Sequence, residues 1–393
     1  MSLDQLSQAG WSPFTPRESL LAWASRYRLA SDGRINLPRV VGVAIAVTWL
    51  PLALLSIAEG AAFAGSVAIP FFHDYVPHGR YLLAVPILLL MDQLVDRRTA
   101  RAIEHLRSSG LVAPGQENAL DDVLAAVTKA WRSKAVRWTI FALTYAVAVA
   151  TFAWGRQLGI ANWMLLANTD ELSVAGLWQL FISAPLARLL VLRALWKLAV
   201  WVWLLARLSR MHLQISPLHP DQRCGLRFLG ETQLAFVPLV AALGVQLGCV
   251  IADAVQFQQM TVSSFKVVGV AFVVLSLLLI LGPLVIFMRR AWLTMERAED
   301  AFSTWASLAA RHMSVQLVRS QHEHMLAQLS TSEISSMTDA SALFDRVVAT
   351  RSLPVDTRQA ALVVVVAVAS VLLPLLALLP LADILQRLTK ILL

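Results

Sequence analysis

Long apolar stretches recur along this chain, over residues 40–62, 81–95, 138–154, 186–206, 234–255, 267–288 and 360–379. About 20 apolar residues of α-helix cross a hydrocarbon core, and lipid offers no partner to an unsatisfied backbone group. The pattern therefore predicts an all-α, polytopic membrane protein with about seven transmembrane helices. Composition agrees, since only 15% of the residues are charged, against roughly 25% in a soluble domain.

The net charge of +8 is explained by topology. Of the 33 Lys and Arg, 25 fall on one side of the expected spans, 5 on the other and 3 within the fourth. By the positive-inside rule the richer side is cytoplasmic, which puts the N-terminus inside and, after seven crossings, the C-terminus outside. A nucleic-acid partner is not implied. Cys224, in a cytoplasmic loop, and Cys249, inside the fifth span, suit neither an exported disulfide nor a zinc site. No signal peptide is expected. The Ala, Leu, Val and Arg-rich composition is of a bacterial kind, which points to the inner membrane.

Four regions follow. Residues 1–38 form a cytoplasmic interfacial segment, with a capping box at Thr15-Pro16-Arg17-Glu18 opening an amphipathic helix. Residues 39–290 hold six spans, with a helical hairpin extension over 96–137 whose seam is Leu120, Leu124, Val127 and Trp131. Residues 291–358 are a cytoplasmic helical region, and 359–393 are a final span with an amphipathic tail. Gly244 and Gly248 make a small-xxx-small pair suited to close helix contact.

The fourth span carries the charges that bear on function. With the core taken back from Arg207 to about Leu186, Arg193 and Lys197 straddle the midplane, about 40° apart on one helix face. Arg207 continues that stripe beyond Val200 and Leu204, while Arg188 points away near the outer end, so the every-third-residue ladder of a voltage sensor is absent. Intramembrane charges usually face a bundle interior or a wet cavity with a partner. The candidate acids are Glu59 and Asp253 near outer ends and Asp92 near an inner end. Arg188 is expected to pair with Glu59 or Asp253. Arg193 and Lys197 have no acid at their own expected depth, which suggests a water-filled or anion-occupied path.

A cytoplasmic loop follows, running Ser216-Pro217-Leu218-His219-Pro220-Asp221-Gln222-Arg223-Cys224-Gly225-Leu226-Arg227-Phe228-Leu229. Its prolines and Asp221 make a constrained turn between spans four and five, and His219, Arg223 and Arg227 are positioned to receive an anion at the inner mouth. With His219-Pro220-Asp221, Gly225-Leu226 and Phe228-Leu229, the loop resembles that of a family of uncharacterised bacterial multi-pass inner-membrane proteins. The resemblance covers some 12 residues and the general layout. It departs at Gln222-Arg223-Cys224 and Arg227, and it implies topology without an activity.

Two short clusters, His73-Asp74-Tyr75 with His78 and His322-Glu323-His324, lack the spacing of a metal site, so no metal or cofactor is expected. No nucleotide loop, triad, kinase signature or zincin motif is present, which favours a non-enzyme. The leading expectation is an oligomeric channel or transporter in the bilayer, preferring a small anion, with the fourth span lining its path. One alternative is an envelope scaffold that binds a partner through its cytoplasmic helices. Another is an intramembrane enzyme acting on lipid phosphate through His219, Asp221, Arg223 and Arg227.

Overall fold

A computed structural model describes residues 30–31, 34–63, 67–157, 162–166, 171–319, 342–350 and 356–376. The expected N-terminal amphipathic helix, His322-Glu323-His324 and the C-terminal tail lie outside these residues. The described chain is helical apart from a two-residue antiparallel ladder, β1 (Ala30–Ser31) on β2 (Arg34–Ile35). Helix α1 covers Leu37–Ala58. Helix α2 is built from Tyr75–His78, Gly79–Ala84 and Val85–Ser108. Helices α3 (Glu117–Trp131) and α4 (Lys134–Gln157) follow, and α5 covers Val174–Leu208. Beyond them come α6 (Arg227–Phe257), α7 (Lys266–Leu281), α8 (Val285–Arg319) and α9 (Thr357–Leu376), with a short helical segment over 342–349.

Six segments among the described residues are long and apolar enough to cross a membrane: Leu37–Ala58, Glu117–Ala153, Val174–Leu208, Arg227–Phe257, Val262–Trp305 and Thr357–Leu376. The protein is an all-α, multi-pass membrane protein. The remaining expected span, 81–95, lies in α2, where Arg80 and Asp92 bracket the apolar run. Tyr81, Ala84, Val85, Leu88, Met91 and Val95 are all buried. Helix α2 packs against α6, α5 and α1, so its apolar face meets protein.

Prolines shape the spans, and neighbouring side chains take up the carbonyls they free. Pro51 and Pro185 cannot donate to the carbonyls of Val47 and Phe181, four residues earlier. The Trp178 indole donates to the Val47 carbonyl at 3.1 Å and the Tyr145 hydroxyl to the Phe181 carbonyl at 3.3 Å. In lipid such carbonyls would otherwise cost several kcal/mol each. Helices α2 and α5 share one plan. Each opens on a side-chain cap, Asp74 or Ser173, then widens into a π-helical turn, Gly79–Ala84 or Gln179–Ser183, just before Pro86 or Pro185. Their π-turns touch through Tyr81, whose hydroxyl donates to Gln179 Oε1 at 2.8 Å.

Glycines allow the closest approaches. A Cβ on Gly244 would run into Ser370, and one on Gly248 into the Val371 carbonyl and Pro374, so this pair seats α9 on α6. A Cβ on Gly79 would strike the Cys249 sulfur, which fixes α2 against α6. Leu120, Leu124 and Val127 of α3 are buried, and α3 packs on α5. Gly110 and Gly115 turn the chain with φ of +70° and +85°, conformations that suit glycine. The helix begins at Glu117, one residue before Asn118. Asp356 and Gln359 cap α9, with the Asp356 N–H donating to Gln359 Oε1 at 3.1 Å.

Candidate functional site

Polar and charged side chains gather in two places along the α2–α5 pair. At the end joined to the hairpin, Lys197 is fully buried. Its ammonium donates to Asp92 Oδ1 at 2.6 Å, to the Asp92 carbonyl at 3.1 Å and to Asp96 Oδ1 at 2.6 Å. Arg193 Nη2 reaches Asp92 Oδ2 at 3.0 Å. The Trp131 ring faces both cations, with its centroid 5.8 Å from the Arg193 guanidinium carbon and 5.7 Å from the Lys197 nitrogen. Two acids spaced i, i+4 on α2 thus meet two bases spaced i, i+4 on α5. The formal charges cancel, and an aromatic face covers the group.

This geometry overturns the expectation that Arg193 and Lys197 have no acid at their depth. The expectation missed that α2 packs beside α5, which brings Asp92 and Asp96 to Arg193 and Lys197. Asp96 had been assigned only to the hairpin. Its signal was the complementary spacing of Asp92 and Asp96 with Arg193 and Lys197. Arg207 does not join the group; it is exposed and stacks over Trp203 at 5.2 Å.

The opposite end, at the N-terminus of α2, is built differently. Asp253 of α6 accepts the Tyr75 N–H at 3.0 Å, and Asp74 accepts the Val76 N–H at 2.9 Å and the Trp163 indole N–H at 2.8 Å. Two carboxyl groups therefore sit on consecutive amides of the first turn of α2, where the helix dipole favours negative charge. Burial pushes the Asp74 carboxyl up from its usual range, against the lowering effect of its bonds to Trp163 and Asp253. Glu59 at the end of α1 caps α5 in a similar way, accepting from the Val174 N–H at 2.6 Å. Trp163 is almost fully buried against Phe71, with ring centroids 5.0 Å apart.

Glu59 and Asp253 are therefore occupied by helix N-termini, which corrects the expected pairing with Arg188. Arg188 instead donates through Nη2 to Thr151 Oγ1 at 2.5 Å, and its Nη1 is buried without a hydrogen-bond partner. Leaving a buried polar group unsatisfied costs about 1–3 kcal/mol, and more when it is charged. Arg80 lies on the π-turn of α2, whose start the Asp74 cap followed by Pro77 marks in the sequence.

In the loop between α5 and α6 each expected base meets an acid. Arg223 lies 3.7 Å from Asp356, Arg227 lies 3.3 Å from Glu231, and His219 Nδ1 lies 2.9 Å from Asp221. Asp221 organises the turn by accepting the N–H groups of Arg223 at 2.8 Å, Gly225 at 3.0 Å and Arg227 at 3.2 Å. Burial raises the Asp221 carboxyl, but these donors and His219 outweigh it and hold the group below the usual carboxylate range. Gln222, Cys224 and Gly225 take φ of 55°, 57° and 84°, a tight path that only such anchoring sustains. Burial, with the nearby Asp221 charge, pushes the Cys224 thiol up to about 11, so it is not an activated thiol.

The fold and these clusters define a polytopic membrane protein with charged groups packed between its helices. Compared with known proteins, the chain matches no family model, no curated protein and no solved structure.

Proposed function

We propose that this protein is a channel or transporter, oligomeric in a bacterial inner membrane, in which α2 and α5 border the path and their inner ionic cluster is a latch. The observation that carries this reading is Lys197, fully buried and bound to both Asp92 and Asp96. Replacing such a network by apolar residues is often neutral or stabilising, so its presence across two helices invites a functional reason. The π-turns just beyond it are features common at functional sites in helices. The basic side of the chain faces the cytoplasm in this reading, with the N-terminus inside, and the path prefers anions once the latch opens, because Arg193 and Lys197 are then no longer cancelled by Asp92 and Asp96 and add to Arg188.

The test is current across planar bilayers holding the purified protein under a KCl gradient. The double variant Asp92→Asn, Asp96→Asn should raise the open fraction, with a reversal potential on the anion side. Silence from both the parent and the unlatched variant would overturn the reading. A second reading, an envelope scaffold, is favoured by the closure of Lys197 inside protein, and it predicts that silence.

A further inference from the structure

We infer that the cluster around Lys197 is operated by protons: a proton binds the Asp96 carboxylate and loosens the hold of α2 on α5. The two acids are held unequally. Asp92 faces two cations, with Lys197 on Oδ1 at 2.6 Å and Arg193 on Oδ2 at 3.0 Å, and its carbonyl also accepts from the ammonium at 3.1 Å. Asp96 meets the Lys197 ammonium at 2.6 Å and makes no ion pair with Arg193. Both carboxylates crowd one nitrogen, and two like charges that share a site make one of the pair the weaker acid. The unequal partners assign that role to Asp96.

Asp96 is also placed to receive the proton. Lys197 is closed to solvent, whereas the Asp96 side chain keeps 24% of its surface open and stands just past the apolar run 81–95. Burial pushes its carboxyl up from the usual range, and the Asp92 charge adds to this, against the pull of Lys197 and Arg193. The surrounding elements bring few other charges. Glu231 of α6 is turned to Arg98 and Arg227, and Asp121 of α3 to Arg107. Helix α3 offers the cluster the neutral Trp131, with Lys129 and Arg132 next to it in sequence, and α1 carries a single basic residue, Arg39.

Protonation adds one hydrogen to an Asp96 oxygen and breaks no bond of the chain. Lys197 keeps its own hydrogens, so the balanced group of two acids and two bases gains one net positive charge, and Asp92 is left as the only ionised carboxylate. A positive seam is what a path for anions needs. The inference deepens the transport reading by naming its trigger and rests on that reading for what opening does, so proton binding and current are measured apart.

Proton uptake is read by infrared difference spectroscopy of the full-length protein in lipid vesicles, stepping from about pH 8 to about pH 4.5. The carboxylic-acid C=O signal that grows should lose a component in Asp96→Asn and regain it in Asp96→Glu. The midpoint of that component should lie a unit or more above the ordinary aspartate value of about 3.9. Spectra that titrate alike in the parent and in Asp96→Asn would overturn the inference. Should Asp96→Asn not fold, the parent protein decides. An apolar carbodiimide, which reacts with protonated carboxyl groups, should label Asp96 increasingly as pH falls through that midpoint, read by mass spectrometry of the peptides. Labelling that is absent, or equal across the range, overturns the proton site. In planar bilayers the open fraction of the parent should rise over the same range, and that of Asp96→Asn should not follow it. A current indifferent to this range overturns the trigger. Proton uptake with silent bilayers supports the proton site and removes only the transport reading.

Discussion

Lys197 and Arg188 lie nine residues apart on one helix and illustrate two ways of handling a cation inside a bundle. Lys197 is sealed from solvent but has two carboxylates, a backbone carbonyl and an aromatic face around it. Arg188 is less buried, yet its hydrogen-bond partner is a threonine hydroxyl and its buried Nη1 has none. Burial alone therefore does not measure how well a cation is satisfied. The compensating groups do, and by that measure the Lys197 end is complete while the Arg188 end is not.

The largest effect should come from breaking the complete end. In Asp92→Asn, Asp96→Asn the buried ammonium loses its counter-charges, and stability should fall by about 3–5 kcal/mol, read as earlier thermal unfolding in detergent by circular dichroism. Adding Lys197→Met should return most of that loss, because no buried charge is then left alone. If the triple variant is no better than the double, the cluster holds the helices by shape and not by charge.

Asp221 offers an intermediate case, a carboxylate satisfied by backbone N–H groups outside the spans. Its lowered folded pKa means that it stabilises the loop above the unfolded value of about 3.9 and that this contribution fades as pH falls through the folded value. Asp221→Asn should therefore cost about 1–2 kcal/mol at neutral pH, with the gap from the parent closing on acidification below about pH 4. A gap that stays constant with pH would assign the effect to shape. The smallest change is expected at the Arg188 end. Arg188→Met should shift stability by no more than about 1 kcal/mol, and in either direction, since removing an unpaired buried charge offsets the lost packing. A large loss in the same unfolding assay would mean that Arg188 has a structural partner beyond Thr151.

Much of the architecture was legible in the residues because it rests on local rules. Apolar stretches, the Leu120, Leu124 and Val127 seam, the Asp356 and Gln359 cap and the Gly244 and Gly248 contact each follow from spacing and side-chain size. The site was less legible. Depth counted along one span left Arg193 and Lys197 without an acid, whereas the packing of α2 brings Asp92 and Asp96 to them. Counting 100° per residue also fails across the Gln179–Ser183 turn, where the Ala184 N–H reaches back five residues to the Gln179 carbonyl. Acids at the ends of α1 and α6 looked like free counter-ions, but in the fold they cap the helices that start beside them.

By itself the sequence determined the all-helical, membrane-crossing character of this protein, because lipid leaves a backbone of long apolar stretches no other way to satisfy its hydrogen bonds. It also carried both halves of the inner cluster as matched i, i+4 pairs. Only the tertiary structure decided that these halves meet, and that Arg188 meets Thr151 instead of an acid. Their meeting is set by how α2 packs, on α5 through Tyr81 and Gln179 and on α6 through Gly79. Such contacts join residues about a hundred positions or more apart, and no periodicity within either helix encodes them.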